Sequence, residues 1–511
     1  VDDLLDAVLV LNENAKNKPN EFDKDAHHEL AKKAVHESAV LLKNEDCILP
    51  LRAGCKVAVV GDFAVEPRYQ GAGSSVVNPT KLETTEQIIG RYDLQVAGIA
   101  RGYKRTGEAD AQLKQEALGL VKDADVVLYY FGLDELSESE GLDRVHMRIP
   151  KVQVELLEEM AKINPNIVGV MSAGASVEMP WEGACKAILH GYLNGQAGAG
   201  GMLDILTGKV NPSGKLNETY PLKYGDTPAR RNFPSKERNS EYREGIFVGY
   251  RYYDTAGVRV RYPFGYGLSY TTFVYSDLRV NDGGVTFKVT NTGNRDGAEV
   301  AQLYVGMKGG KVFRPAKELK GFAKVFLKAG ESEDVTISFD DKTFRYWNVK
   351  TDAWETEGGA YQVMVGANVA DIRLETEVAV AGTVAECPYD EVKLPSYYKG
   401  TVQDVPDEEF AKLLGGPVPN GHWGGELGVN DAICQMNHAR SGLARLIYKI
   451  LTNMKEKSEA KGKPDLNILF IYNMPFRGIA KMTGGAVSMD MVRGMVLVVN
   501  GHFFKGLGKI I

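Results

Sequence analysis

The apolar segment Ala124-Asp125-Val126-Val127-Leu128-Tyr129-Tyr130-Phe131-Gly132-Leu133 is followed closely by the polar segment Ser137-Glu138-Ser139-Glu140-Gly141-Leu142-Asp143-Arg144. A continuous apolar run of this length is typical of a strand that is buried on both faces, as in a parallel sheet. We therefore expect a buried strand that leads into a loop rich in carboxylates. Open α/β sheets bind ligands at the carboxyl ends of their strands, so this loop is the first candidate for a functional site.

Five acidic residues crowd the loop, namely Asp134, Glu135, Glu138, Glu140 and Asp143. Like charges that lie together with partial burial raise the pKa of at least one carboxyl group. A carboxylic acid that keeps its proton near neutral pH can act as a general acid. The alternative is a solvated acidic loop, because most runs of charged residues simply face water.

The whole-chain composition is that of a soluble globular protein, with 44% hydrophobic and 25% charged residues. Its 511 residues are too many for one core, so we expect three or four domains. A net charge of -6 argues against a nucleic-acid partner. No apolar run reaches the roughly 18–20 residues that cross a bilayer, so no membrane partner is expected.

The five cysteines, at positions 47, 55, 185, 387 and 434, are scattered and form no CxxC pair. This pattern favours reduced thiols in a cytoplasmic protein over a disulfide framework or a zinc site. The first residues, Val1-Asp2-Asp3, do not resemble a signal peptide. A processed start would hide one, so secretion is not excluded.

The order of local patterns predicts an α/β domain followed by an all-β domain. Residues 1–45 are predicted to be a pair of helices and a linker, the second helix reaching Leu42. Strands are predicted at 57–60, 94–99, 126–131, 167–171 and 187–190, with helices at 112–121 and 152–163. Alternating strands and helices indicate a mainly parallel, helix-covered sheet, an α/β sandwich over 46–222.

Short strands with turns between them follow after an irregular connecting segment, 223–270. They predict an antiparallel β-sandwich over 271–380. The remainder, 381–511, is predicted to be a C-terminal extension with helices at 443–455 and 487–499 and a charged loop at 455–463. Its last apolar residues, Phe503, Phe504, Ile510 and Ile511, must be buried against the sandwich or in a homodimer, and we favour the homodimer.

Several motifs in order resemble one enzyme family. They include Ser38-Ala39-Val40-Leu41-Leu42-Lys43-Asn44-Glu45, Gln70-Gly71-Ala72-Gly73-Ser74-Ser75, the acidic segment 138–144, Asn211-Pro212-Ser213-Gly214, Pro263-Phe264-Gly265-Tyr266-Gly267, and Arg314-Pro315-Ala316-Lys317-Glu318. The chain is similar, collinearly over about 30–370, to glycoside hydrolase family 3, and specifically to its β-glucosidases. The resemblance implies an α/β sandwich followed by a fibronectin-type-III-like domain.

The resemblance also implies residue roles. Glu140 matches the general acid/base of the family, and Glu138 and Arg144 would be neighbours that set its pKa and position. The alternative is that Glu138 is the catalytic member. Ser74 and Ser75 belong to a glycine-serine loop that either lines the sugar site or is a plain tight loop. This loop lacks both the GxGxxG and the GxxxxGK[ST] patterns, so no nucleotide is expected there.

The nucleophile of the family is an aspartate on a TIM barrel that normally precedes the sheet domain, and no such barrel is recognisable here. Residues 1–18 resemble the last barrel helix and its linker. We therefore expect the post-barrel part of a retaining, exo-acting β-glucosidase without cofactor or metal. It would act on β-glucosides or cello-oligosaccharides, as in cellulose degradation, with the barrel supplied in cis or in trans, and would be inactive alone. The alternatives are a β-xylosidase or other family exo-glycosidase, and a non-catalytic carbohydrate-binding or assembly module.

Overall fold

A computed structural model of the chain describes residues 1–18, 21–235, 237–383, 386–423, 425–460 and 465–510. It begins with two helices, α1 (Asp2–Lys16) and α2 (Lys24–Ser38). No residue of α1 is buried. The prediction that the second helix reaches Leu42 is wrong, because strand β1 (Val40–Asn44) begins two residues after α2 ends. Leu41 and Leu42 are fully buried in this strand, whose backbone pairs with another strand of the sheet.

The predicted α/β domain is confirmed, with the five strands and two helices predicted between residues 57 and 190 all present, whereas the segment 215–220, which was also expected to be a strand, is one only from Tyr220. Its elements are β2 (Cys55–Val60), α3 (Thr85–Ile88), β3 (Leu94–Ala100), α4 (Ala111–Leu120), β4 (Val126–Gly132), α5 (Lys151–Ile163), β5 (Ile167–Ser172), β6 (Ala187–His190) and α6 (Gly198–Leu206). The six-stranded sheet has the order β1-β6-β5-β4-β2-β3. All pairs are parallel except β1 with β6.

Strand β4 lies inside this sheet and is buried on both faces. Val127, Tyr129 and Phe131 point into one apolar cluster, with α5 and Trp181. Leu128 and Tyr130 point into a second cluster on the other face. The two cores explain why the β4 sequence is continuously apolar, since neither face of the strand meets water.

A connecting segment leads from the sheet to a second domain. It contains β7 (Tyr220–Pro221), α7 (Tyr250–Thr255) and β8 (Val260–Tyr262). The strands that follow are β9 (Phe273–Asn281), β10 (Gly284–Asn291), β11 (Gly297–Met307), β12 (Glu318–Leu327), β13 (Ser332–Ser338), β14 (Arg345–Asn348), β15 (Ala353–Thr356), β16 (Gly359–Asn368) and β17 (Asp371–Val380).

Two antiparallel sheets, β13-β10-β9 and β12-β11-β16-β17, enclose the core of this second domain. The side chains of Phe287, Leu303 and Val363 lie in that core. The predicted antiparallel β-sandwich is therefore confirmed. Among the described residues no sheet closes into a barrel, since the largest has six strands in an open order.

The C-terminal extension is largely helical. Its helices are α8 (Pro395–Lys399), α9 (Asp407–Leu414), α10 (Gly442–Glu459), α11 (Leu466–Asn473), α12 (Gly478–Met482), α13 (Met489–Val499) and α14 (Phe503–Ile510). Helix α10 continues through much of the segment that was predicted to be a charged loop, and residues 461–464 of that loop lie outside the described residues.

The extension has two packing regions. Tyr397 and Phe410 of its first part pack with Phe247 of the connecting segment and Phe313 of the sandwich. The later helices form a separate cluster that includes Met436, Phe476, Val492 and Val496. In the single chain Phe503 and Phe504 are 47% and 88% exposed, so these two side chains do not pack against the sandwich, and Ile511 lies outside the described residues. The homodimer stays a prediction.

Phe131 tests the role of the β4 core. Its ring is fully buried, stacks on Tyr129 at 4.8 Å and meets Trp181 edge-on at 4.9 Å. We expect Phe131→Ala to lower the free energy of unfolding by about 3–5 kcal/mol, because it removes buried apolar area and leaves a cavity. Chemical denaturation followed by fluorescence measures the change.

Phe322→Ala is the matched control, because the Phe322 side chain is 67% exposed on β12. We expect it to change the stability by less than about 0.5 kcal/mol. Equal losses in the two variants would contradict the assignment of Phe131 to the core.

Candidate active site

The acidic loop begins at a tight turn at the carboxyl end of β4. Gly132 has a φ of +148°, and a Cβ there would lie 1.8 Å from the carbonyl oxygen of Ser172, so only glycine fits. Asp134 is buried, and its Oδ1 accepts hydrogen bonds from the backbone N–H groups of Leu136 and Ser137 at 3.1 and 2.8 Å. This aspartate shapes the turn, and it lines a cavity of about 410 Å³ that does not include Glu140.

Burial raises the pKa of Asp134, against the two hydrogen bonds from Ser137 that lower it. One member of the acidic group thus has the raised pKa that the sequence predicted. The main cause is burial, and the repulsion by Glu135 is a smaller contribution. The raised pKa belongs to a turn residue and not to the residue that matches the acid/base of the family.

Arg68 joins the two loops of the site. Its side chain is 2% exposed. It donates one hydrogen bond to the carbonyl oxygen of Gln70 in the glycine-serine loop, and another, of 3.0 Å, to the carbonyl oxygen of Glu138. Burial lowers the pKa of this guanidinium, and the nearby Glu135 raises it. The sequence analysis missed Arg68. The available signal was a lone arginine in the loop after β2, which must lie beside the acids after the adjacent β4.

Glu140 is held by the glycine-serine loop. Its backbone N–H donates to the carbonyl oxygen of Ala72 at 2.8 Å, and its carboxylate accepts hydrogen bonds from the backbone N–H and hydroxyl of Ser74. A Cβ on Gly73, which has a φ of +134°, would lie 2.4 Å from the Cβ of Glu140. The loop therefore needs glycine in order to fold closely around this glutamate.

The two hydrogen bonds from Ser74 lower the pKa of Glu140, because they stabilise the charged carboxylate. In this structure the charged carboxylate of Glu140 is thus favoured, and it can accept hydrogen bonds. It is not the protonated acid that crowding of carboxylates suggested. Of the two predicted serines, the structure brings Ser74 to Glu140. Ser75 is exposed and its hydroxyl lies beside Gly71.

Glu138 and Arg144 face the loop that follows β5. The Oε2 of Glu138 accepts a hydrogen bond from the backbone N–H of Gly174 at 2.8 Å, and Nη1 of Arg144 donates to the carbonyl oxygen of Ser176 at 3.2 Å. Burial lowers the pKa of Arg144, while the charges of Glu138 and Glu218 raise it. Glu138 and Arg144 thus connect the acidic loop to the loop after β5. Among the described residues, neither side chain forms a hydrogen bond with the carboxylate of Glu140.

Glu218, which the sequence analysis also missed, completes this group. Burial raises its pKa, against hydrogen bonds from Ser176 and the charge of Arg144. One guanidinium nitrogen of Arg144, Nη2, is buried and has no hydrogen-bond partner among the described residues.

A cavity of about 490 Å³ opens beside Glu140. Its lining on one side consists of Gly73, Ser74, Glu140 and Gly141, and on the other of Leu466, Asn467, Leu469, Phe470, Asn473, Met474 and Pro475. The second side is formed by α11 of the C-terminal extension and the residues that follow it. A larger depression of about 860 Å³ lies at the amino ends of the strands and contains none of the predicted site residues.

The described ranges of the chain contain no group of three or more histidine, cysteine or acidic residues placed to hold a metal ion. All five cysteines are free thiols. In the same ranges no helix is both long and apolar enough to cross a membrane.

Two family models match the chain. The glycosyl hydrolase family 3 C-terminal domain matches residues 39–270, which include the whole candidate site except its α11 side. The fibronectin type III-like domain matches residues 299–369.

The similar proteins are glycosidases. Thermostable beta-glucosidase B of Acetivibrio thermocellus is 38% identical over 98% of this chain and 63% of its own length. Exo-alpha-(1->6)-L-arabinopyranosidase of Bifidobacterium breve is 45% identical over 71% of this chain and 50% of its own length. The crystal structure of the GH3 beta-glucosidase of Bifidobacterium adolescentis is 45% identical, with a TM-score of 0.70, and is matched over 75% of this chain and 58% of that one.

The fold, the acidic loop and these matches define a chain of the glycoside hydrolase class. It belongs to glycoside hydrolase family 3. The chain spans about half to two thirds of the length of these three relatives.

Replacement of Ser74 tests how the pKa of Glu140 is set. Ser74→Ala removes the hydroxyl that stabilises the Glu140 carboxylate, so we expect the pKa of Glu140 to rise from its lowered position toward the ordinary range of glutamate. NMR titration of the Glu140 side-chain carbon measures the change in the purified chain.

Ser75→Ala is the matched control, since Ser75 is the neighbouring serine and is exposed. It should leave the titration of Glu140 unchanged. A fall in the Glu140 pKa in Ser74→Ala, or equal shifts in the two variants, would show that the Ser74 hydroxyl does not lower this pKa; the larger contribution, from the backbone N–H of Ser74, is present in both variants.

Proposed function

We propose that this chain supplies the general acid/base of a retaining, exo-acting β-glucosidase that hydrolyses terminal non-reducing β-D-glucosyl residues. The observation that carries the proposal is the carboxylate of Glu140, which the glycine-serine loop holds at the edge of a cavity. The 38% identity to a thermostable beta-glucosidase over 98% of the chain supports the substrate class. Glu138 is a weaker candidate, because it does not line this cavity and its carboxylate contacts the backbone of Gly174 in the loop after β5.

The proposed mechanism is a double displacement. In the first step Glu140 donates a proton to the glycosidic oxygen while a second carboxylate bonds to the anomeric carbon and the leaving group departs. In the second step the Glu140 carboxylate takes a proton from water, whose oxygen bonds to the anomeric carbon and releases the second carboxylate. The hydrogen bonds from Ser74 favour the charged form of Glu140, which suits the second step. The first step needs the protonated form, so substrate binding must weaken these hydrogen bonds before Glu140 donates its proton.

The second carboxylate has to come from outside the described cavity. Glu140 is the only acidic residue among its lining residues, and α11 opposite it offers apolar and amide side chains. A retaining site needs two carboxyl groups about 5–5.5 Å apart. We propose that a TIM barrel, in cis or in trans, supplies the nucleophilic aspartate and most contacts to the sugar.

A second candidate is another exo-glycosidase of the same family. The identity to an exo-arabinopyranosidase is 45%, which is higher than the 38% identity to the beta-glucosidase, although it covers less of the chain. A β-xylosidase is a further member of this alternative. The third reading, a carbohydrate-binding or assembly module without activity, leaves the close fit of the glycine-serine loop to Glu140 without a role. The cytoplasmic location and the degradation of cellulose stay predictions.

The 511-residue chain is expected to hydrolyse aryl β-glucosides negligibly by itself, because the described lining of the cavity offers only one of the two carboxylates. Addition of a family 3 barrel as a separate polypeptide, or its fusion before Val1, should produce hydrolysis. Release of an aryl alcohol, measured by absorbance, follows both reactions. Robust turnover by the chain alone would contradict the prediction, and sugar binding without turnover in the presence of the barrel would favour the module.

Glu140→Gln tests the acid/base assignment in the chain combined with the barrel. We expect hydrolysis of cellobiose and alkyl glucosides to fall by roughly 10²–10⁴-fold, because their leaving groups need a proton. For aryl glucosides with acidic phenols, the rate of the first step should fall much less, because these leaving groups depart without a proton.

Glu138→Gln is the matched control on the same loop. It should change the activity without this dependence on the leaving group, because Glu138 holds Gly174 and does not protonate the substrate. If the dependence appears in Glu138→Gln and not in Glu140→Gln, the roles of the two glutamates are reversed.

A further inference from the structure

The C-terminal extension forms one wall of the candidate site. Helix α11 lies opposite Glu140 across the cavity of about 490 Å³, although more than 320 residues of sequence separate them. The sequence predicted that the extension would contact the sandwich or a second copy of the chain. Contact with the acid/base loop was not predicted.

Helix α11 is firmly anchored within the extension. At its start, the carboxylate of Asp465 accepts hydrogen bonds from the backbone N–H groups of Asn467 and Ile468 at 2.9 and 3.3 Å. Leu469 is 2% exposed. After the helix, the carbonyl oxygen of Met474 accepts a hydrogen bond from the N–H of Ile433 at 2.9 Å. A wall with this support can hold a defined position relative to the acid/base loop.

One side chain connects α11 directly to the residue after Glu140. The amide of Asn473 donates to the carbonyl oxygen of Gly141 at 3.0 Å and to that of Leu469 at 3.1 Å. Gly141 has a φ of +80°, so the loop turns sharply at this point. Ser74 holds the carboxylate of Glu140, and Asn473 holds the backbone of the next residue, Gly141.

The chemistry of the wall is mainly apolar. Leu466, Phe470, Met474 and Pro475 line it, and the polar groups opposite belong to Ser74 and Glu140. Phe470 is 57% exposed, although it is a large aromatic residue on a well-supported helix. The volume is in the range of pockets that bind small organic molecules. An exposed ring on a rigid wall can stack on a flat apolar group of a ligand.

The position of Glu140 decides which part of a substrate this space receives. The acid of a glycosidase donates its proton to the oxygen of the leaving group, so the space bounded by Glu140 and α11 lies on the leaving-group side of the bond. We propose that α11 forms the leaving-group subsite, that Phe470 stacks on an aromatic leaving group, and that Asn473 is a positioning residue for Glu140. This inference rests on the proposed function.

Phe470→Ala tests the subsite in the chain combined with the barrel. The readout is kcat/KM for phenyl β-glucoside relative to methyl β-glucoside. We expect the ratio to fall roughly tenfold, because loss of an aromatic contact affects only the substrate that has a ring to stack. A general loss of folded protein would lower both values and leave the ratio unchanged. Phe470→Trp should preserve the ratio.

Phe504→Ala is the matched control, since Phe504 is an exposed phenylalanine of the same extension and does not line the cavity. It should leave the ratio at the value of the unchanged protein. If the unchanged protein is active and Phe470→Ala keeps the ratio, the subsite assignment is wrong and the proposed function stands. If the unchanged protein with the barrel hydrolyses neither substrate, both proposals fail.

Asn473→Ala tests the positioning role. If Asn473 holds Glu140 in place, kcat/KM for a series of aryl β-glucosides should depend more steeply on the pKa of the leaving phenol, because proton donation is impaired. An unchanged slope would show that Asn473 only packs against the loop.

Discussion

Burial of β4 on both faces is the constraint on which the site depends. The side chains of this strand occupy two separate apolar cores, so its polar residues can lie only beyond its ends. At the carboxyl end, Gly132 turns the chain where no other residue fits, and the acidic loop begins. The loops after β2 and β5 end at the same edge of the sheet. The parallel sheet thus brings Arg68, Glu138 and Glu140 together from distant parts of the sequence.

The contacts within this edge divide into two kinds. Arg68, Asp134, Glu138 and Arg144 bind backbone groups and give the loops their shape. Glu140 is the acid whose carboxylate faces the cavity, and Ser74 stabilises its charged form. In the proposed mechanism Glu140 donates a proton and later accepts one, which needs an environment that changes between the two steps. The hydrogen bonds from Ser74 suit the accepting step of that proposal.

The extension changes the picture of the chain as two consecutive domains. Its first helices pack on the connecting segment, and its later helices form a core of their own. Through α11 and Asn473 this core reaches the acid/base loop. A site that is otherwise made by the sheet domain thereby acquires an apolar wall. Changes in the extension can therefore alter the wall of the cavity without altering the loop that carries Glu140.

The sequence by itself determined the parallel strands of the sheet and the β-sandwich, and it singled out the acidic loop that contains Glu140, because apolar periodicity and contiguous motifs are local properties. It erred at Leu41 and Leu42, where pairing with β6 overrode the helical pattern. It also could not assign the raised pKa, since burial of Asp134 and the contact of Ser74 with Glu140 depend on chain segments that meet only after folding. Only the tertiary structure decided that α11 faces the acid, because that contact joins residues distant in sequence and leaves no local pattern.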